Sequence, residues 1–273
     1  LVYRSSQPYT LRRRFSTHEF GWLGDNTERM SQILFVLLSG LDGTGRLFKP
    51  LMEVLPSYLN PLVIPYPADR FLDYSELLTY VQGQIPTDKP FVLLAESFSG
   101  AVAVEFAATH LSNLKALVLC ASFVTNPAPA FLRPLSFLLR ARFFKLRPPQ
   151  FMVRHFLLGQ RVSSDLVNAF WEALKSVSPE VLAYRMRSAF NVDVRDALGE
   201  CGVPILYLAA KRDKLVGGRN LVEIKSLAPN VEENIIDAPH LLLQSEPKEA
   251  MKAIDNFLRR SVGDIDLSNP TRK

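Results

Sequence analysis

Three side-chain types able to perform acyl transfer fall in a suggestive order along the chain: a serine after one apolar run, an aspartate after a later one, and a histidine after the last. Ser97 follows Phe91 to Glu96 and stands between Ala95 and Ser99, with Gly100 close behind. A strand that turns sharply into a helix strains its central residue, and only small neighbours two positions either side avoid a clash. The strict form of that turn is G-x-S-x-G, and here Ala95 and Ser99 replace the glycines. An N-terminal helix cap would also favour serine at this place. A serine hydroxyl becomes a nucleophile only beside a general base, and four histidines are available. His18 lies in the opening stretch, His110 near a helix end and His155 in a basic segment, whereas His240 directly follows a late strand. Asp213, after the strand before that one, is the expected partner of the imidazole. Asp193 and Asp196 precede that strand, and Asp237 is crowded against His240 in sequence.

A further element is the glycine-rich run Leu37 to Gly45 after the first apolar segment. Such a turn lets a backbone N–H face a developing oxyanion, partnered by the N–H of the residue after the nucleophile. The expected donors are Leu41 and Phe98. Nucleotide binding is not supported, since neither G-x-x-x-x-G-K-[ST] nor G-x-G-x-x-G is matched.

These residues need a scaffold, and the hydropathy pattern supplies one. Ile33 to Leu38, Pro61 to Pro65, Phe91 to Ala95, Leu114 to Cys120, Ile205 to Ala209 and Val231 to Ile236 read as strands, several apolar enough to be buried on both faces. Helical spacing falls between them at Leu47 to Leu55, Tyr74 to Ile85, Phe98 to His110, Asn220 to Leu227 and Pro247 to Arg260. This alternation gives an α/β fold, a doubly wound, mostly parallel sheet with helices on both faces. The sheet core is expected over 30–125 and 193–262. Between its halves, residues 126–192 hold no convincing strand. Pro127, Pro129, Pro134, Pro148 and Pro149 divide the first part, and helices are expected at Ser164 to Ser176 and Pro179 to Phe190. That segment reads as an inserted helical lid. Residues 1–29 read as an extension outside the catalytic fold and 263–273 as a frayed tail.

The combination of Ser97, Asp213 and His240 with the Ser39-Gly40 turn resembles the α/β-hydrolase superfamily over about residues 32 to 260. The lidded layout is similar to that of small carboxylesterases of the pimeloyl methyl ester esterase type. The runs Leu38 to Gly45 and Glu96 to Gly100 are similar to those in the hydrolase-like part of phytyl ester synthase type acyltransferases. Many relatives carry His-Gly where this chain has Ser39-Gly40, and glycine where it has Pro239. The resemblance implies a Ser-His-Asp triad, an acyl-serine intermediate and no metal or organic cofactor. Its implied substrate is a small carboxylic ester with an apolar, short or medium acyl group, held by Phe98, Phe123, Phe143, Phe144 and Leu241. An acyltransferase with the same triad, or a ligand receptor without turnover, are the alternatives.

Composition bounds the rest. With 273 residues, 48% of them hydrophobic, the chain can bury a full core. No apolar run reaches the ~18 residues a membrane span needs. Cys120 and Cys201 are too few for a disulfide framework, so a reducing, cytoplasmic setting is expected. From Phe131 to Arg161 there are seven basic residues and no acid. Such a stretch could contact an anionic membrane surface weakly; the favoured reading is a helical roof whose long side chains lie along apolar neighbours. No nucleic-acid partner is expected, and the oligomeric state is left open.

Overall fold

The computed structural model describes residues 33–127, 141–145, 149–159, 162–228 and 230–262. The expected extension 1–29 and tail 263–273 lie outside these residues, as does part of the basic segment. Six strands form one all-parallel sheet: β1 (Ile33–Leu38), β2 (Leu59–Val63), β3 (Phe91–Glu96), β4 (Leu114–Cys120), β5 (Ile205–Ala210) and β6 (Val231–Ile236). Their spatial order is β2-β1-β3-β4-β5-β6. Chain direction across the sheet therefore reverses at β1, and the loops after β1 and β3 come together at the carboxyl ends of adjacent strands. In open sheets such a switch point forms a crevice.

The apolar runs are explained by what each face meets. Leu34, Val36, Leu38, Leu93 and Ala95 point into one core with Phe98, Val102 and Phe106. Ile33, Phe35, Leu37, Val92 and Leu94 point into the other with Ile254 and Phe257. Alternate residues thus serve opposite layers, and β1 and β3 are buried throughout. The edges are weaker. Pro61, with no N–H to donate, is tolerated in β2 because that strand pairs only with β1. At the far edge, β6 exposes Glu232 to Ile235 in varying degree.

The helices are α1 (Lys49–Met52), α2 (Tyr74–Gln82), α3 (Gly100–Ala107), α4 (Ala141–Lys145), α5 (Gln150–Val153), α6 (Ser164–Lys175), α7 (Pro179–Asn191), α8 (Arg195–Gly199), α9 (Gly218–Leu227), α10 (Leu242–Ser245) and α11 (Pro247–Ser261). Several are shorter than the spacing suggested. Instead of one helix from Leu47 to Leu55, a 3-10 turn at Arg46–Phe48 leads into α1. Likewise α3 begins at Gly100, because Ser97–Ser99 form a 3-10 turn. Asp73 caps α2 through a capping box with Glu76, which fixes its start where the pattern placed it.

Between β4 and β5 the described residues form α4 to α8, with an isolated antiparallel bridge joining Thr125 to Asp193. This bridge ties the two ends of the segment together at the sheet. Within it, Val153, Leu158, Val167, Phe170 and Ala173 build a separate apolar cluster with Leu47 and Leu241. Among the described residues no helix is long and apolar enough to cross a membrane.

Candidate active site

Ser97 sits at the end of β3 with φ of 50°, a left-handed conformation that a residue with a side chain adopts only under strain. The surrounding contacts hold it there. Ser122 Oγ donates to the Ser97 carbonyl at 2.7 Å, and the Tyr207 hydroxyl in turn donates to the Ser122 carbonyl at 2.7 Å. Gly100 is required at its position because a Cβ there would lie 1.6 Å from Ser122 Oγ. Gly100→Ala is therefore expected to destabilise the protein by roughly 1–3 kcal/mol through overpacking. A lower urea midpoint with an unchanged m-value would show it; an unchanged midpoint would mean the turn relaxes freely.

Ser99 takes the place where glycine is usual, and the structure gives it work. Its side chain is fully buried, and its hydroxyl donates to the Ser39 carbonyl. That uses its single proton, so the Tyr66 hydroxyl, 2.7 Å away, must donate to Ser99 Oγ. The serine thereby couples the turn after β3 to the turn after β1.

His240 follows β6 and lies between the other two candidates. Its Nε2 is 3.0 Å from Ser97 Oγ, and its Nδ1 is 2.7 Å from Asp213 Oδ2. The imidazole and the carboxylate are both almost wholly buried, with side chains 5% and 3% exposed. The other carboxylate oxygen accepts the N–H groups of Leu215 and Val216 at 2.7 and 2.9 Å, which fixes its direction. Burial by itself lowers the His240 pKa, but the hydrogen bond and charge of Asp213, with the charge of Glu96, outweigh it and leave it raised. The rival acids are elsewhere: Asp193 pairs with Arg195, and Asp237, 72% exposed, pairs with Arg212. His110, in the loop after α3, has φ of 54°, and His155 contacts Lys214 at 2.7 Å.

The glycine-rich turn after β1 passes over the serine. Gly43 N–H donates to the Gly40 carbonyl at 3.0 Å, and a Cβ on Gly40 would lie 3.6 Å from Ser97 Cβ. One group that holds this turn is not visible from spacing. Arg185, on α7, is 1% exposed, and its guanidinium donates to the carbonyls of Leu41, Asp42 and Pro67 at 3.0, 2.7 and 2.9 Å. Its one sequence signal is a charge at i+4 from Val181 and i−4 from Ala189, on the buried stripe of the helix.

Ser97 and His240 open on a cavity of about 780 Å³. Leu41, Phe98, Phe123, Phe144 and Leu241 are among the residues that line it, while the side chain of Phe143 lies outside the described residues. Phe156, Phe170, Trp171 and Met186 complete much of its apolar wall. The helical segment is joined directly to the histidine loop, because Leu241 N–H donates to the Leu157 carbonyl at 3.0 Å. Among the described residues no group of three or more His, Cys, Asp or Glu side chains is placed to hold a metal ion.

A parallel sheet of this order, with a strained serine after β3 and a histidine after the last strand, defines an α/β-hydrolase fold. The chain belongs to the Alpha/beta hydrolase family, whose model matches residues 32–253. No curated protein matches it by sequence. Among solved structures it is similar to a lipase-esterase related protein from Clostridium acetobutylicum ATCC 824, with a TM-score of 0.69, 16% identity, and 84% of this chain and 95% of that one covered. MenH from S. aureus gives a TM-score of 0.69 at 18% identity, covering 88% and 97% of the two chains. A thermophilic esterase from Thermogutta terrifontis gives 0.68 at 19%, covering 85% and 91%.

Proposed function

We propose that the protein is a serine carboxylesterase acting on short- to medium-chain acyl esters through an acyl-serine intermediate. The observation that carries this reading is the hydrogen-bonded chain from Ser97 through His240 to Asp213 beside a deep apolar cavity. His240 Nε2 takes the Ser97 proton as Oγ attacks the ester carbonyl. Asp213 keeps the other ring nitrogen protonated and stabilises the imidazolium that forms. The N–H groups of Leu41 and Phe98 receive the oxyanion, and His240 returns its proton to the departing alkoxide. Water, deprotonated by the same imidazole, then releases the acid. The group is regenerated without net change, so one ester and one water give one acid and one alcohol.

The second reading, transfer of the acyl group to an alcohol, is favoured by the scarcity of polar side chains around the cavity. A series of chromogenic acyl esters of rising chain length, assayed with and without an added alcohol, tests both. Free acid as the main product supports hydrolysis, and an ester of the added alcohol supports transfer. No turnover with any member of the series would overturn both in favour of a ligand receptor.

We assign the described residues between β4 and β5 as a lid whose apolar side roofs the cavity. Phe144 faces the cavity from α4, and Lys145 beside it faces Glu180 at 3.9 Å, so part of the basic charge is met within the protein. Phe144→Ala is expected to favour longer acyl chains, changing the long-to-short ratio of kcat/KM by roughly tenfold. Sedimentation with anionic liposomes should stay negligible at physiological salt. Strong, salt-sensitive liposome binding with unchanged chain selectivity would make the segment a membrane-docking element instead.

A further inference from the structure

Behind the triad lies an ionisable group that the mechanism above does not use. Glu96, the last residue of β3 and the neighbour of Ser97, is 1% exposed, yet it lines the same cavity wall as Gly40, Ser97 and His240. Its Oε2 accepts from Gln244 Nε2 on α10 at 3.3 Å and would sit 3.9 Å from a Cβ on Gly40. The nearby Gly40 backbone favours its charged form. Its second oxygen, Oε1, is buried with no hydrogen-bond partner among the described residues, and so is Oε1 of Gln244. A buried carboxyl with an unsatisfied oxygen is expensive to keep and needs a reason.

We propose that Glu96 is a positioning residue of this site: its carboxyl fixes the Gly40 turn against the serine and places a second negative charge behind the His240 imidazole. The proposal rests on the acyl-transfer reading and assigns to Glu96 two separable effects, one of shape and one of charge. For shape, the carboxyl stands on β3, packs against Gly40 in the turn after β1 and bonds Gln244 on α10. The same turn carries Leu41, the expected oxyanion donor, so a shift of Gly40 moves that N–H away from the reacting oxygen. Arg185 holds the turn from the lid side, through the carbonyls of Leu41 and Asp42, and Glu96 holds it from the sheet side.

For charge, the groups that face Glu96 decide the sign. They are His240 on the last loop, Asp42 on the turn after β1, and Gln244 on α10. Cys120, at the end of β4, is held as a neutral thiol by burial, reinforced by the charges of Glu96 and Asp213. Burial first, and then Asp42, push the Glu96 carboxyl up to about 7, against the opposing pull of His240, Gln244 and Gly40. Glu96 therefore gains its charge near neutrality, and that charge is one of the causes that raise the His240 pKa, so the two ionisations are coupled. As pH rises, Glu96 gains charge and holds the proton on His240 to higher pH. The ascending limb of activity, which needs neutral His240, is accordingly displaced upward and broadened in the wild-type protein.

Glu96→Gln keeps the size and the acceptor but removes the charge, whereas Glu96→Ala removes both. Two measurements separate the effects: the pH dependence of p-nitrophenyl butyrate hydrolysis, and the His240 titration followed by NMR of the histidine-labelled protein. In Glu96→Gln, the His240 titration and the activity limb are expected to move down together by roughly 0.5–1 pH unit and narrow to one ionisation. On the alkaline plateau, kcat should fall less than about tenfold. In Glu96→Ala, kcat should fall by roughly 10²-fold with KM changed less than about threefold, the pattern of a misplaced oxyanion donor. The NMR titration remains readable if Glu96→Ala does not fold, or if no ester is turned over. A lowered His240 titration without any ester turnover would retain the charge effect and discard the esterase reading. An unmoved titration in Glu96→Gln, in a protein that hydrolyses the ester, would overturn the role of Glu96 and leave that reading intact.

Discussion

Ser97→Ala is expected to lower kcat for ester hydrolysis by on the order of 10⁴-fold or more while leaving the fold intact. Every covalent step in the proposed mechanism passes through its hydroxyl, so nothing else in the cavity can replace it. The alanine also retains the backbone that holds the turn, since Ser122 Oγ bonds the residue-97 carbonyl and not its side chain. Thermal stability should consequently stay near wild type, as relief of the 50° φ is not available to alanine either. Labelling by a fluorophosphonate should vanish with activity. A folded Ser97→Ala protein that hydrolyses esters at the wild-type rate would sink the mechanism.

Much of this arrangement is legible in the sequence because it rests on local pattern. The strands buried on both faces are short apolar runs, and β1, β3 and β4 fall close to where those runs lie. The order of serine, aspartate and histidine follows from the order of the strands that carry them. What pattern could not give is pairing across the fold. Glu96 looks like an ordinary residue between an alanine and a serine until Gln244, some 150 positions later, is folded onto it. Arg185 is similar, for a charge on a helix is normally solvated, and only the carbonyls of the turn after β1 give it a reason to be buried.

Short elements were hidden for a different reason. α10 spans only Leu242–Ser245, and α8 only Arg195–Gly199, each too brief to establish a 3.6-residue period. α3 starts two residues later than the spacing suggests, because Ser97 to Ser99 take 3-10 geometry in the strained turn. Pro61 misplaced β2 slightly, since proline ordinarily marks a strand's start and here lies inside an edge strand.

Strand order favours Asp213 over its neighbouring acids as the partner of His240, and the difference is measurable. Asp213→Asn is expected to reduce kcat by roughly 10⁴-fold, because an amide at this position can donate to Nδ1 and so leaves the imidazole in the wrong tautomer. The rest of the local structure should survive, as the Asn oxygen can still accept from the Leu215 and Val216 N–H groups that hold the carboxylate now. The change also removes the charge that raises the His240 pKa, so the histidine should titrate lower even as activity collapses. Asp193→Asn should cost far less, since its carboxylate pairs with Arg195 in a half-exposed position and does not bond the histidine. Asp196→Asn serves as the second control. If Asp196→Asn were the crippling change and Asp213→Asn the mild one, the histidine would take its orientation from a different acid and the assignment of the triad would fail.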